Sequence, residues 1–223
     1  VPLRVQYRMH DVISTFASRL FYRGQLRAHY SVAHRRLNLL QALPGSTSVQ
    51  GAVLQAMRAD LPLVFLNVRG EGSEAEVKLS NAEACVVREL IGGLLARGVG
   101  EDEIGVIAPY RAQVANLRRH LFSDETTSNW NALPLDTPLS IDTVDRFQGG
   151  ERSIIIISFA TATTPPAESQ LRDHLTNPHR LNVALTRAQR KLILVGNASA
   201  LEEMALFKRL LAYCRELHTV FEC

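Results

Sequence analysis

Short unbroken apolar runs alternate along the chain with longer stretches whose apolar residues recur every three or four positions. The runs near Val64–Val68, Ile104–Ala108, Leu139–Val144, Ile154–Phe159 and Lys191–Gly196 read as strands, and Ile154-Ile155-Ile156-Ile157 has no polar position on either face. Helical spacing recurs over Asp11–Tyr22, where Val12, Ile13, Phe16 and Leu20 share a face ahead of Gly24. It returns over Ala82–Arg97, Arg111–Phe122, Asn182–Ala188 and Ser199–Arg215. Strands apolar on both faces, alternating with helices, predict an α/β fold built on a mostly parallel sheet with helices on both faces.

Two stretches leave the pattern. Residues Arg27–Asp60 hold no strong strand, include Pro44-Gly45-Ser46 and carry Arg27, His34, Arg35 and Arg36, so they read as an insertion over the surface with a solvated basic face or a wall for nucleic acid. Residues Ser123–Pro138, which contain Trp130, read as a polar loop. No repeat or Gly/Ser linker divides the chain, so residues 1–223 read as one domain.

Composition narrows the class. A chain of 223 residues with 46% hydrophobic positions can bury a sizeable core, which excludes general disorder. No apolar run approaches the roughly 18–20 residues of a membrane helix, so no membrane partner is expected. The three cysteines, Cys85, Cys214 and Cys223, lack metal-ligand spacing and leave an odd count, which predicts neither a metal site nor a disulfide framework and suits a reducing intracellular setting, cytoplasm or nucleus. The start at Val1-Pro2-Leu3, without Met or a signal pattern, is expected to be a domain boundary within a larger protein. Net charge is only +3, but 22 of the 25 basic residues are Arg, whose planar fork suits phosphate.

Ligands of open parallel sheets gather beyond the carboxyl ends of strands, and three segments are candidates for such a place. In Ile141-Asp142-Thr143-Val144-Asp145-Arg146-Phe147-Gln148-Gly149-Gly150-Glu151 a strand runs into a Gly pair and an acid. The glycines let backbone amides approach a ligand and Glu151 could accept from a ribose hydroxyl; a tight turn and a solvated Glu is the plainer alternative. Arg180, Arg187 and Arg190 lie on a helical stretch with almost no acids, which suggests an anion or a basic surface, and an Arg against a γ-phosphate would stabilise the charge developing in phosphoryl transfer. In Gln6-Tyr7-Arg8-Met9-His10 an aromatic beside an Arg could stack on a base while the Arg holds a phosphate; alternatively Tyr7 packs and His10 caps a helix or sits in the core.

With Ser80-Asn81-Ala82-Glu83 and Ala108-Pro109-Tyr110-Arg111-Ala112-Gln113, these segments form five motifs whose order resembles the superfamily 1B helicases related to the up-frameshift helicase of nonsense-mediated decay, senataxin and the eukaryotic nuclease-helicases. The resemblance covers nearly the whole chain. It implies a RecA-like P-loop NTPase fold and the second, C-terminal motor domain of an ATP-dependent helicase moving 5′ to 3′ on single-stranded DNA or RNA. The partners it implies are that strand and the first RecA-like domain of the same parent chain, and the cofactor is ATP with Mg²⁺ held mainly by that first domain.

Carried over residue by residue, the resemblance makes Tyr7 an adenine-stacking residue, Arg8 and Arg187 the γ-phosphate arginines, and Gly149 with Glu151 the nucleotide-linked loop. It turns Pro109, Tyr110, Thr143, Val144 and Asp145 toward the strand, although Tyr110 could equally be packing. Ser80 and Glu83 also match a helix capping box. Similar helicases usually carry a basic residue where this chain has Gly150. Neither a Gly-x-x-x-x-Gly-Lys-Ser/Thr loop nor a paired Asp-Glu of a magnesium-binding strand occurs, so this chain alone is expected not to hydrolyse ATP.

A non-catalytic nucleic-acid-binding module that kept the fold is the alternative from another class. A third reading, a metal-dependent nuclease, rests on Asp60 followed by Glu76-Val77-Lys78, a permissive pattern that five ordered motifs make unnecessary.

Overall fold

The computed structural model describes residues 4–39, 50–69, 78–122, 138–147, 150–161 and 170–223. A short parallel pair joins β1 (Val5–Gln6) to β2 (Arg27–Ala28). The remaining strands are β3 (Leu63–Asn67), β4 (Ile104–Ala108), β5 (Ser140–Thr143), β6 (Arg152–Ser158), β7 (Ala188–Gly196) and β8 (Val220–Glu222). They form one sheet in the order β5-β4-β6-β7-β3-β8, parallel at every pairing.

Both faces of this sheet are covered, which is why its central strands carry no polar period. Leu63, Phe65, Ile155, Ile157, Leu192 and Leu194 point into one core, while Val64, Leu66, Ile154, Ile156, Ile193 and Val195 point into the other. Each such side chain stabilises the fold by about 1.5–3 kcal/mol when fully buried. The first core is closed by α1 (Asp11–Phe21), by α6 (Gln170–Thr176) and α7 (Pro178–Leu185), and by α8 (Ala198–Glu202) and α9 (Ala205–Glu216). The second is closed by α3 (Gly51–Ala56), α4 (Asn81–Ala96) and α5 (Arg111–Phe122). A single turn, α2 (Tyr30–Ala33), follows β2.

The expected fold class is the observed one, with local corrections. Parts of the stretch read as a surface insertion, Arg27–Asp60, contribute to the fold: Arg27 and Ala28 pair with β1, and Val53, Ala56 and Met57 are fully buried against the α4 side of the sheet, while the side chains of Arg27, His34, Arg35 and Arg36 are exposed. Lys191, inside β7 and only 1% exposed, secures this stretch by donating from Nζ to the Arg58 carbonyl at 2.9 Å and to that of Leu61. Burial pushes that amine down to about 7. The single closing helix expected over Ser199–Arg215 is two, α8 and α9, and an edge strand not expected from the sequence, β8, follows them. The helix expected at Asn182–Ala188 begins earlier, because Asn177 caps it by accepting from the amides of His179 and Arg180 and Pro178 opens it. The polar loop at Ser123–Pro138 lies outside the described residues except for Pro138.

Gly105 explains one motif residue. A Cβ on it would meet Cζ of Phe147 at 2.5 Å and Cδ1 of Ile155 at 2.9 Å, so the missing side chain is the space in which the buried Phe147 ring lies on β4. That contact anchors the segment leaving β5.

Candidate functional site

The candidate residues separate into two groups at opposite ends of the sheet. Glu151 immediately precedes β6 and Arg187 immediately precedes β7; these strands are neighbours, with Arg152 in register with Ala188 and its amide donating to the Arg187 carbonyl at 3.1 Å. The nucleotide candidates therefore gather at the amino ends of strands, not the carboxyl ends the sequence suggested. The linear sequence hides this because Glu151 follows β5 by eight residues yet belongs structurally to the start of β6.

Arg8 reaches the same place from the turn after β1. Gln6 shapes that turn: its Oε1 accepts from the amides of Arg8 at 2.8 Å and Met9 at 2.7 Å, and its Nε2 donates to the Met9 carbonyl at 2.9 Å. The His10 amide donates to the Gln189 carbonyl at 2.8 Å, which fixes the turn to β7. His10 is both a buried residue and the cap of α1, its Nδ1 accepting from the Val12 amide at 3.2 Å. Burial, then the nearby His34, holds its imidazole below the ordinary value.

Arg8 forms an ion pair through Nε with Glu151 and donates from Nη1 to the Thr186 carbonyl at 3.3 Å. The other Glu151 oxygen accepts from Gln189 Nε2 at 2.8 Å. Burial works to raise the Glu151 carboxyl, but the hydrogen bonds from Gln189 and Arg8 and the charges of Arg8 and Arg187 outweigh it and hold the group below its ordinary value. Arg187 donates from Nε to the Val183 carbonyl at 3.2 Å and from Nη1 to the Gly150 carbonyl at 3.3 Å. Partial burial, followed by the Arg8 charge, depresses the Arg187 guanidinium. Arg8 thus contacts the Glu151 carboxylate while Arg187 acts on it through its charge alone, and the local excess of positive charge favours an anion. Gly149 lies outside the described residues.

Tyr7 stands beside this cluster with 64% of its surface exposed and one face of its ring on His29, centroids 4.4 Å apart. An exposed ring next to paired arginines fits a nucleotide base and its phosphates. Among the described residues no group of three or more His, Cys, Asp or Glu could hold a metal ion.

The second group lies at the carboxyl ends of β4 and β5, where Ala108 and Thr143 are in register. Pro109 and Thr143 are half-buried and Asp145 is exposed, but two of the residues expected to face a strand do not offer their side chains. Tyr110 is 7% exposed, burial raising its phenol to about 12, and Val144, 5% exposed, packs in the core. Their sequence neighbours Pro109, Thr143 and Asp145 keep part of their surface exposed.

Arg180 is not the unpaired cation its helix suggested. It grips Asp145 through Nε and Nη2, both at 3.2 Å, and its Nη1 lies 2.9 Å from His174 Nδ1, whose ring in turn reaches the Pro109 carbonyl from Nε2 at 2.9 Å. His174 belonged to no motif, and no local signal marked it.

The Ser80 and Glu83 pair is half a capping box. Ser80 Oγ accepts from the Glu83 amide at 3.2 Å, but the Glu83 carboxyl turns inward and accepts from Ser158 Oγ at 2.7 Å, the Ala160 amide at 2.9 Å, and the Thr161 amide and hydroxyl at 2.7 and 3.3 Å. The Ser80 amide goes to Gln113 Oε1 at 2.8 Å, and Gln113 also donates to Ser158. Full burial raises the Glu83 carboxyl against the pull of these donors. Two motifs are therefore tied together by a polar network under the end of β6. Of the nuclease pattern, Asp60 is engaged by Arg58 at 3.0 and 2.6 Å, and Glu76 lies outside the described residues.

A family model described as an AAA domain matches residues 1–199. The DNA polymerase alpha-associated DNA helicase A of Saccharomyces cerevisiae is 35% identical over 208 residues, covering 90% of this chain and 28% of that protein. The putative regulator of nonsense transcripts 1 of Takifugu rubripes is 32% identical over 226 residues, covering 100% of this chain and 19% of that protein. The chain thus spans less than a third of either relative's length. The C-terminal domain of a possible DNA helicase from Lactobacillus plantarum aligns over 97% of this chain and 98% of that one, at 16% identity and a TM-score of 0.49, a likeness too distant to bear on function. Among the described residues no helix is long and apolar enough to cross a membrane.

Proposed function

We propose that this chain, which belongs to the superfamily 1B helicases and carries their AAA domain, is the C-terminal motor domain of an ATP-dependent helicase that moves 5′ to 3′ along single-stranded DNA or RNA. The observation that carries the reading is the meeting of Arg8, Arg187 and Glu151 from three separate segments at the amino ends of β6 and β7.

The ATP site is composite. The first RecA-like domain of the parent chain supplies the phosphate loop and the residues that hold Mg²⁺, since this sequence contains neither. Tyr7 stacks on the adenine, Glu151 meets the ribose, and Arg8 and Arg187 approach the γ-phosphate across the domain interface. As the terminal phosphoryl group moves to water, negative charge shifts toward its oxygens and the bridging leaving oxygen; two fixed guanidiniums stabilise that distribution more than they stabilise bound ATP. Hydrolysis removes the bridge, the domains part, and the strand advances relative to Pro109, Thr143 and Asp145 at the other end of the sheet. An intracellular site of action, cytoplasmic or nuclear, goes with this substrate.

Steady-state ATP hydrolysis by the full parent protein and by this chain alone, without nucleic acid and with single-stranded DNA or RNA, tests the reading. Strand-stimulated hydrolysis confined to the parent supports a split site. A folded parent that binds single strands but does not hydrolyse ATP overturns it in favour of a binding module.

A further inference from the structure

The two ends of the sheet are connected through one short helix. α7 carries Arg180 in its first turn, and Arg187 follows its last residue, Leu185, by two positions. At about 1.5 Å per residue the eight-residue helix spans about 12 Å. Its entry is fixed by the Asn177 cap and its body by Leu181, Ala184 and Leu185 in the core, so it moves as one piece. Arg187 is anchored back on it through Val183.

At the other end, Arg180 holds the segment after β5 through a two-point pair with Asp145, and holds the turn after β4 through His174 and the Pro109 carbonyl. Donor chemistry orders this chain. A guanidinium only donates, so His174 Nδ1 accepts from Arg180 and the ring proton sits on Nε2, which donates to Pro109. Each bond therefore has a fixed direction, and both candidate strand-facing turns converge on one arginine.

We propose that Arg180 and His174 are positioning residues that couple strand binding to ATP hydrolysis: a strand seated on the Pro109 and Asp145 turns shifts Arg180, and α7 carries that shift to Arg187. The proposal rests on the motor reading above and adds the route between its two sites. Neither residue touches nucleotide, and Arg180 acts only through α7. The physical warrant is a continuous path of directed hydrogen bonds ending on a rigid helix.

The test uses the full parent protein with oligothymidylate and oligouridylate as probes, reading ATP hydrolysis with and without strand, strand affinity, and thermal unfolding. Arg180→Ala and His174→Leu are expected to keep the strand-free rate and lose strand stimulation by roughly tenfold or more, with strand affinity changed far less. His174→Gln, whose amide offers one acceptor and one donor, is expected to restore stimulation, which a simple loss of packing would not predict. Stimulation unchanged in Arg180→Ala and His174→Leu overturns the coupling route alone. Loss of strand affinity or of folding in step with stimulation, without rescue by His174→Gln, also overturns it. Absence of stimulation in the unmodified parent removes the motor reading itself, and the coupling route with it.

Discussion

The ring of Tyr7 rests on that of His29, centroids 4.4 Å apart and tilted by 31°. His29 is held in place because its Nδ1 caps α2, accepting from the Ser31 amide at 3.3 Å. One face of Tyr7 is thereby supported and the other left open beside Arg8, the arrangement a stacking platform needs.

Tyr7→Ala in the parent protein is expected to raise the KM for ATP several-fold and leave kcat nearly unchanged, because stacking binds ground and transition states alike. Thermal unfolding should not move, since the side chain is mostly exposed. A fall in kcat at constant KM would remove Tyr7 from base binding.

Glu83 carries a structural prediction. Its carboxyl is the acceptor for two hydroxyls and for the amides of Ala160 and Thr161, and Ala160 holds a left-handed φ of 55° at that point. Glu83→Ala strands those buried donors and should cost about 3 kcal/mol in urea unfolding. A loss under about 0.5 kcal/mol would show that the network contributes little.

Lys191 gives a pH dependence with a defined sign. Its amine is pushed down to about 7 when folded, against 10.5 as the ordinary value, so above pH 7 the folded chain sheds a proton that the unfolded chain keeps. Stability attributable to this group therefore rises with pH in that range. Relative to Lys191→Met, the unmodified protein should gain about 1–2 kcal/mol between pH 7 and about 8.5, each pKa unit of difference being about 1.4 kcal/mol. Parallel pH profiles for the two proteins would contradict this. Above about pH 8, where the folded amine is neutral and still donates, the variant should be the less stable of the two, since the Arg58 and Leu61 carbonyls lose their donor.

Much of the fold was legible because it is written in local periodicity. Ile154–Ile157 is apolar throughout since both faces of β6 are covered, and α1 and α5 show their buried sides at helical spacing. The break between α8 and α9 left no trace, because Met204 is buried between them and continues the apolar spacing. β8 is three residues long and, among the described residues, has a partner on one side only, too little for a pattern.

The site was legible by residue type but not by place. Arg8, Glu151 and Arg187 were identifiable from their motifs, yet their convergence at the amino ends of strands depends on β6 and β7 being neighbours, which no segment encodes alone. Tyr110 and Val144 carried the expected motif positions, but burial turns both inward. The partner of Arg180 is hidden in the sequence because its acid, Asp145, lies 35 residues away.

The most direct measurement is ATP hydrolysis and ATP affinity in the parent protein carrying Arg187→Ala, beside the unmodified protein, at saturating single strand. Among the described residues Arg187, half-buried, donates to two carbonyls 3.2 and 3.3 Å away, so its removal should leave the fold intact. The account predicts that kcat falls by roughly 10³-fold or more while ATP affinity stays within several-fold, as for a group that acts in the transition state. An unchanged kcat, or a loss of affinity that accounts for the whole defect, would contradict it.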